Sequence, residues 1–345
     1  METLKTRWAE QAKCGCPLPE YPRPQMVRDN WQSLNGMYAY ALTDLDAQAF
    51  PEKADGEIRV PFAIESYLSG VCKRLDDKHL LWYKRCFTAE KREGKKTLLH
   101  FGAVDWKCTV YVNGRSVGEH TGGYCPFTFD ITDFISDGEN TLTVKVFDPT
   151  DKGWQARGKQ ASKSHGFWYT STSGIWQTVW TEQVNSEYIR SYKVTPDIDD
   201  SSFRIKTDVQ GTDCTLKIKV FDGEKEVVYD KITSDEYVKL ENIKLWSPES
   251  PFLYSFVLEL YGSNGKLEDS VKGYFGMRKF SIMSDGSYMR LALNNKPYFQ
   301  KGLLDQGYWA DGGLTPPTDE AMIYDIETMK RLGFNMLRKH IKVES

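Results

Sequence analysis

The chain has 345 residues, 40% of them hydrophobic and 13% aromatic, with 45 Lys+Arg against 48 Asp+Glu. At roughly 100–200 residues per domain this predicts two or three domains with real cores and excludes general disorder. A net charge of −3 gives no electrostatic reason to expect nucleic acid or an anionic membrane surface as a partner. No window holds the roughly 18 consecutive apolar residues of a membrane span. The opening Met1-Glu-Thr-Leu-Lys leads into polar residues with no apolar core of a secretory signal, which predicts a cytoplasmic location unless a signal has been removed. The seven cysteines are an odd number and scattered, which fits reduced thiols better than a disulfide framework.

Residues 1–27 carry Pro17, Pro19, Pro22 and Pro24 and read as an extended arm. From residue 28 to 184 the text is one of short strands, with β-branched and aromatic runs at Thr97–Phe101, Thr109–Val112, Thr141–Phe147 and Thr178–Trp180. Asn113-Gly114 supplies the two positive-φ positions of a type I′ hairpin turn. A second β block, 185–282, alternates cleanly at Leu216-Lys-Ile218-Lys-Val220 and has the size of an immunoglobulin-like sandwich.

After residue 282 the pattern changes. Lys296–Leu304 reads as one strand. Thr318 reads as an N-cap with Asp319 and Glu320 in the first turn, Met322, Ile326 and Met329 at helical spacing, and Gly333 as the stop. Phe334–Arg338 reads as the next strand. Strand, helix, strand implies a parallel sheet. Parallel sheets bury both faces. An eight-stranded barrel needs about 250 residues, whereas only about 60 follow Ile282. The expectation is a third domain, 283–345, that is only begun.

Several stretches in this order resemble one family. They are Phe101-Gly-Ala-Val-Asp-Trp106, Val112-Asn-Gly-Arg-Ser-Val-Gly-Glu-His-Thr-Gly-Gly-Tyr124, Pro126-Phe-Thr-Phe-Asp-Ile-Thr132, Ser173-Gly-Ile-Trp-Gln-Thr-Val-Trp180, Leu245-Trp-Ser-Pro-Glu-Ser-Pro-Phe-Leu-Tyr254, Gly276-Met-Arg-Lys-Phe280 and Gly333-Phe-Asn-Met-Leu-Arg338. Together they look like glycoside hydrolase family 2, the β-galactosidases, β-glucuronidases and β-mannosidases. The resemblance implies a mainly β protein: a jelly-roll-like sugar-binding β-sandwich, an immunoglobulin-like β-sandwich, and the first βα unit of an incomplete (β/α)8 TIM barrel. It implies a retaining hydrolase of β-glycosidic bonds that works with two carboxylates, a carbohydrate substrate, and front domains able to support a homo-oligomer. The family's acid/base glutamate follows an Asn, and this chain has no Asn-Glu dipeptide. No catalytic residue is therefore assigned within it, and the chain alone is expected to be inactive. The alternative reading is a non-catalytic carbohydrate-binding or scaffold module.

Candidate substrate-binding residues follow. Asp305, Gln306, Tyr308 and Trp309 come after the first barrel strand, and barrel sites sit at the C-terminal ends of strands. Relatives tend to carry an acidic, His-containing stretch there, which Leu303-Leu-Asp-Gln306 lacks, so neither a galactosidase-type metal ion nor any other cofactor is assigned. Arg338 matches the family's arginine at the end of the second strand. His340 stands one position earlier than the family's histidine, which turns it to the opposite strand face. Asp148 follows the strand Thr141–Phe147, where some relatives hold a sugar hydroxyl; it also reads as a turn cap before Pro149. Trp154 and Trp168 lie in an aromatic loop whose flat rings can stack on a sugar; Trp176 reads as packing. Gly153–Gln160 nearly spells a phosphate loop but has Gln160 where Ser or Thr is required and no helix behind it. Cys14-Gly-Cys16 lacks the further ligands a zinc site needs.

Overall fold

The computed structural model describes residues 4–344. Two β-sandwiches follow one another. In the first, a four-stranded sheet runs in the order Trp31–Ser33, Val179–Asn185, Lys95–Phe101, Phe127–Asp130. It faces a six-stranded sheet ordered Gly56–Val60, Gly36–Asp44, His79–Ala89, Gly138–Phe147, Lys107–Val112, Arg115–Thr121. Alternation sorts the faces. Leu142, Val144 and Val146 of the long central strand point into a core shared with Leu81, Tyr83, Leu99, Phe101 and Val179, while Thr141, Thr143 and Lys145 point out. Asn113 (φ 52°) and Gly114 (φ 75°) form the expected hairpin turn.

The second sandwich packs a three-stranded sheet (Tyr188–Asp197, Ser202–Gln210, Asp235–Lys239) on a four-stranded one (Lys225–Ile232, Thr215–Asp222, Tyr254–Tyr261, Leu267–Phe275). Its core is Phe203, Ile205, Ile218, Val220, Phe256, Leu258 and Val271. The three-plus-four arrangement of antiparallel strands is immunoglobulin-like.

Arg28 joins the two. Its guanidinium donates to both oxygens of Asp269 (3.1 and 2.7 Å) in the second sandwich, to Glu182 Oε2 (3.1 Å) in the first, and to the Ile189 carbonyl (2.6 Å). Glu182 also accepts from Arg23 (2.8 Å) and from the Tyr21 hydroxyl, and His100 Nε2 lies 3.1 Å from it. Burial pushes the Glu182 carboxyl up, but His100, Arg23 and Arg28 more than offset this and bring it down to about 2.

The expected arm contains a short helix, Ala9–Lys13, whose Ala9 and Ala12 pack on Phe62 and Leu68. Just before it, Thr6 donates from N and Oγ1 to Asp311 Oδ2 (2.8 and 2.7 Å). The helix forms because two alanines three positions apart offer one small apolar face.

Past residue 280 the single strand expected over Lys296–Leu304 is two. Lys296–Pro297 pairs antiparallel with Met289–Leu293, which also pairs with Phe280–Ser284. Gly302–Asp305 pairs in parallel with Met336–Lys339. Pro297 has no N–H to continue a ladder, so the first pairing stops there. The helix between the parallel strands runs Asp319–Arg331, with the Thr318 side chain accepting from Ala321 N at 3.2 Å and Gly333 at φ 89° just past its end.

Candidate functional site

The strand Gly138–Phe147 ends in Asp148, which is 1% exposed. Its carboxylate accepts Thr150 N (2.8 Å) and Ser173 Oγ (2.7 Å), so it closes the neck of the long loop 149–172. Glu65, from the segment after Gly56–Val60, accepts Ser173 N (2.9 Å) and Ser171 Oγ (3.2 Å) at the same neck. Asp105 accepts from Gln160 Nε2 (3.0 Å), whose Oε1 in turn accepts Thr172 N (2.6 Å). A Cβ on Gly123 would lie 2.3 Å from Asp105 Oδ1, so only glycine permits this approach.

Among the described residues no Lys, Arg or His forms an ion pair with these three acids. Burial raises all three carboxyls, Glu65 to about 7. Mutual repulsion adds to this at Asp105, which faces both Asp148 and Glu65. The arrangement is a clamp of carboxyls held toward their neutral form, which fixes the loop on the end of the sandwich.

The loop meets the C-terminal ends of the two parallel strands. Tyr308 stacks on Tyr169 of the loop, ring centroids 3.8 Å apart and planes 10° apart. A Cβ on Gly158 would lie 2.3 Å from the Ile341 carbonyl oxygen, so the two backbones touch. Lys342 is buried. Its Nζ donates to the Leu314 carbonyl (2.8 Å), pairs with Glu344 (2.9 Å) and sits 5.6 Å above the Trp176 ring. Trp176 is core, with its indole N–H on the Gly123 carbonyl (2.7 Å).

The candidate residues divide accordingly. Asp305 accepts Gly307 N (2.8 Å) and pairs with Lys339 (2.6 Å). Gln306 Oε1 and the Tyr308 hydroxyl are buried without a partner, and both belong to this junction. Trp309 exchanges backbone hydrogen bonds with Gly313 (2.7 and 3.1 Å) in a tight turn. Arg338 lies exposed on the second parallel strand opposite Leu304, and the His340 backbone N–H bonds the Asp305 carbonyl (2.8 Å).

On the loop, Trp154 is 89% exposed with its ring edge-on to Trp106 (5.9 Å). Trp168 lies beside Phe167 (5.3 Å) under the Arg157 guanidinium (5.6 Å). Asp148, in contrast, has its carboxylate engaged inside the fold. Among the described residues no group of three or more His, Cys, Asp or Glu is placed to hold a metal ion. Sequence reasoning missed Glu65, Gln160 and Lys342. The first two stand in stretches with no periodic signal, and Lys342 follows the last strand.

Two sandwiches carrying an aromatic loop above the ends of parallel strands make up a mainly β protein. Residues 74–184 match the family model described as "Glycosyl hydrolases family 2, sugar binding domain", and residues 187–278 match "Glycosyl hydrolases family 2". The chain belongs to glycosyl hydrolase family 2. It is 29% identical over 327 residues to the β-galactosidase of Thermoanaerobacter pseudethanolicus, covering 89% of this chain and 41% of that protein. It is 24% identical over 342 residues to that of Priestia megaterium, covering 91% and 31%. The chain thus spans less than half the length of these relatives. The apo structure of the Ruminococcus gnavus β-glucuronidase superposes with a TM-score of 0.75 at 20% identity, covering 93% of this chain and 56% of that one, which supports the fold.

Proposed function

We propose that this chain supplies the two β-sandwiches and the opening βα unit of the (β/α)8 barrel to a retaining β-glycosidase, and that both catalytic carboxylates lie outside its 345 residues. In such a reaction one carboxylic acid protonates the leaving oxygen. A carboxylate about 5–5.5 Å away attacks the anomeric carbon, and water then hydrolyses the glycosyl-enzyme. The observation that carries the reading is the docking of loop 149–172 over the C-terminal ends of the parallel strands, with Tyr169 stacked on Tyr308. Barrel active sites sit at that end. Here the loop walls the sugar site, and its exposed Trp154 offers a flat apolar face for stacking.

The acids that the chain does bring to this junction support an inactive front. Asp148, Glu65 and Asp105 are occupied by loop hydrogen bonds, and Asp305 is paired with Lys339. The test is turnover of 4-nitrophenyl β-D-galactoside and β-D-glucuronide. The 345-residue chain is expected to release nitrophenol at the buffer rate, and the same chain continued through a whole barrel at least a thousandfold faster on one of the two, within the range of enzymic acceleration. Turnover by the 345 residues alone contradicts the proposal.

A further inference from the structure

The segment ahead of the first sandwich touches two parts of the fold at once. Ala9 and Ala12 pack on Phe62 and Leu68 of the sandwich. Lys13 Nζ donates to the Tyr67 hydroxyl (2.5 Å), and Lys5 Nζ lies 4.6 Å from the centre of the same ring. Between these anchors, Thr6, Arg7 and Trp8 reach the stretch that follows the first parallel strand. Thr6 gives its backbone N–H and its hydroxyl to Asp311 Oδ2 (2.8 and 2.7 Å). Asp311 is 1% exposed, and its Oδ1 is buried without a hydrogen-bond partner. It stands at the tip of the turn that Trp309 and Gly313 close, directly after Tyr308, which stacks on Tyr169. The far side of the turn has anchors of its own: Thr315 Oγ1 lies 3.1 and 2.6 Å from the Pro61 and Trp176 carbonyl oxygens. The helix Asp319–Arg331 buries one residue among the described residues, Ala321. A helix of this length is marginal when it packs on little else. Its Tyr324 ring meets Trp8 edge-on (centroids 5.5 Å, planes 60° apart). The Arg7 guanidinium lies 4.0 Å from the centre of the Tyr324 ring and 4.3 Å from that of Trp8.

We propose that residues 5–13 are a strap that seats the turn 309–313 and the helix behind it on the first sandwich, and so sets where Tyr308 meets loop 149–172. At the turn the argument is one of burial. A carboxylate taken out of water is costly unless it is hydrogen-bonded, and Thr6 offsets that cost at Asp311 with two donors. The Asp311 carbonyl also accepts Leu68 N–H (3.0 Å), so the strap and the sandwich grip the tip from two sides. At the helix the argument is one of contact. A guanidinium is attracted to aromatic faces, and Arg7 and Trp8 give Tyr324 a neighbour that the helix otherwise lacks on this side. Arg7 is exposed, so the contact is separable from the core. The inference does not rest on the hydrolytic reading, because the strap holds its contacts within this chain.

The test is hydrogen–deuterium exchange of the full chain, read by mass spectrometry. Arg7→Ala is expected to speed exchange across 319–331 about tenfold, and Thr6→Val across 309–313 by about the same factor, as local opening becomes easier. Thr6→Ser keeps the hydroxyl and is expected to match the wild type. The strands Val179–Asn185 and Tyr254–Tyr261, one from each sandwich, are expected to be unchanged in all three variants. Unchanged exchange of either region in its own variant would overturn the proposal. So would a Thr6→Ser variant as fast as Thr6→Val, or a rise spread evenly over the first sandwich, which would make residues 5–13 part of its core. Failure here leaves the nitrophenyl assay unaffected, so the two readings fall separately.

Discussion

Arg28→Ala is expected to lower the stability of the two-sandwich unit by about 3–5 kcal/mol, the cost of leaving buried charge without its partner. The guanidinium is 6% exposed and holds carboxylates from both sandwiches, Glu182 at 3.1 Å and Asp269 at 2.7 Å. Removing it strands Asp269 with only backbone donors, from Ile189 and Ser270 (both 2.9 Å). Arg28→Lys keeps the charge but loses the bidentate fork, so it is expected to recover only part of the loss. Urea unfolding followed by tryptophan fluorescence measures both. A change below about 1 kcal/mol for the alanine variant would show that the pair behaves like an exposed one and that Arg28 does not couple the sandwiches.

Glu65 makes the second large effect, a stability that falls as pH rises. Its carboxyl is raised by burial to about 7 from an ordinary 4.5. Between those values the folded protein holds a proton that the unfolded chain has released, so stability decreases with pH across this window. Each pKa unit corresponds to about 1.36 kcal/mol, which gives a loss of order 3 kcal/mol on going from below pH 4.5 to above 7. Asp105 and Asp148, raised for the same reason, act in the same direction. Glu182 acts oppositely. With its carboxyl brought down to about 2, its contribution is present above 4.5 and lost as pH falls toward 2. The two windows meet near pH 4.5, so the melting temperature is expected to peak in mildly acidic buffer. Glu65→Gln cannot ionise, and is expected to flatten the descent between about pH 4.5 and 7 while leaving the acid limb intact. A wild-type melting temperature that rises steadily from pH 5 to 8 would contradict this assignment.

The sandwiches were legible because their strands alternate. Leu216, Ile218 and Val220 are buried where every second residue is apolar, and Asn113-Gly114 turns where its positive φ demands. The helix Asp319–Arg331 was legible from its caps, since Thr318, the two acids and Gly333 are each local signals. The break at Pro297 was in plain view, but the apolar residues after it, Tyr298, Phe299, Leu303 and Leu304, masked a change of partner sheet. The short helix Ala9–Lys13 was hidden because five residues carry no period of their own and are held by Phe62 and Leu68.

The site was less legible than the fold. Asp148 and Tyr308 were singled out from their places after strands, and the aromatic loop from its composition, and the structure places them about the loop 149–172. The carboxyl clamp was not found, because Glu65, Asp105 and Asp148 are 40 residues or more apart in sequence. Only the fold brings them together, through Ser173, which donates to both Glu65 and Asp148, and Gln160, which donates to Asp105. The burial of Asp105 and Asp148 also reverses the usual expectation for acids, which are seldom fully buried without a partner. No composition or spacing rule carries that information.

The most direct measurement of the central claim is covalent trapping of the glycosyl-enzyme in a β-glycosidase that joins this chain to a whole barrel. A 2-deoxy-2-fluoro glycoside of the sugar that is turned over, followed by proteolysis and mass spectrometry, identifies the carboxylate that attacks the anomeric carbon. The account predicts that the labelled glutamate lies outside residues 1–345, with every peptide of this chain unmodified. A fluoroglycosyl ester on Glu65, Asp148, Asp305 or any other acid of these 345 residues would contradict it.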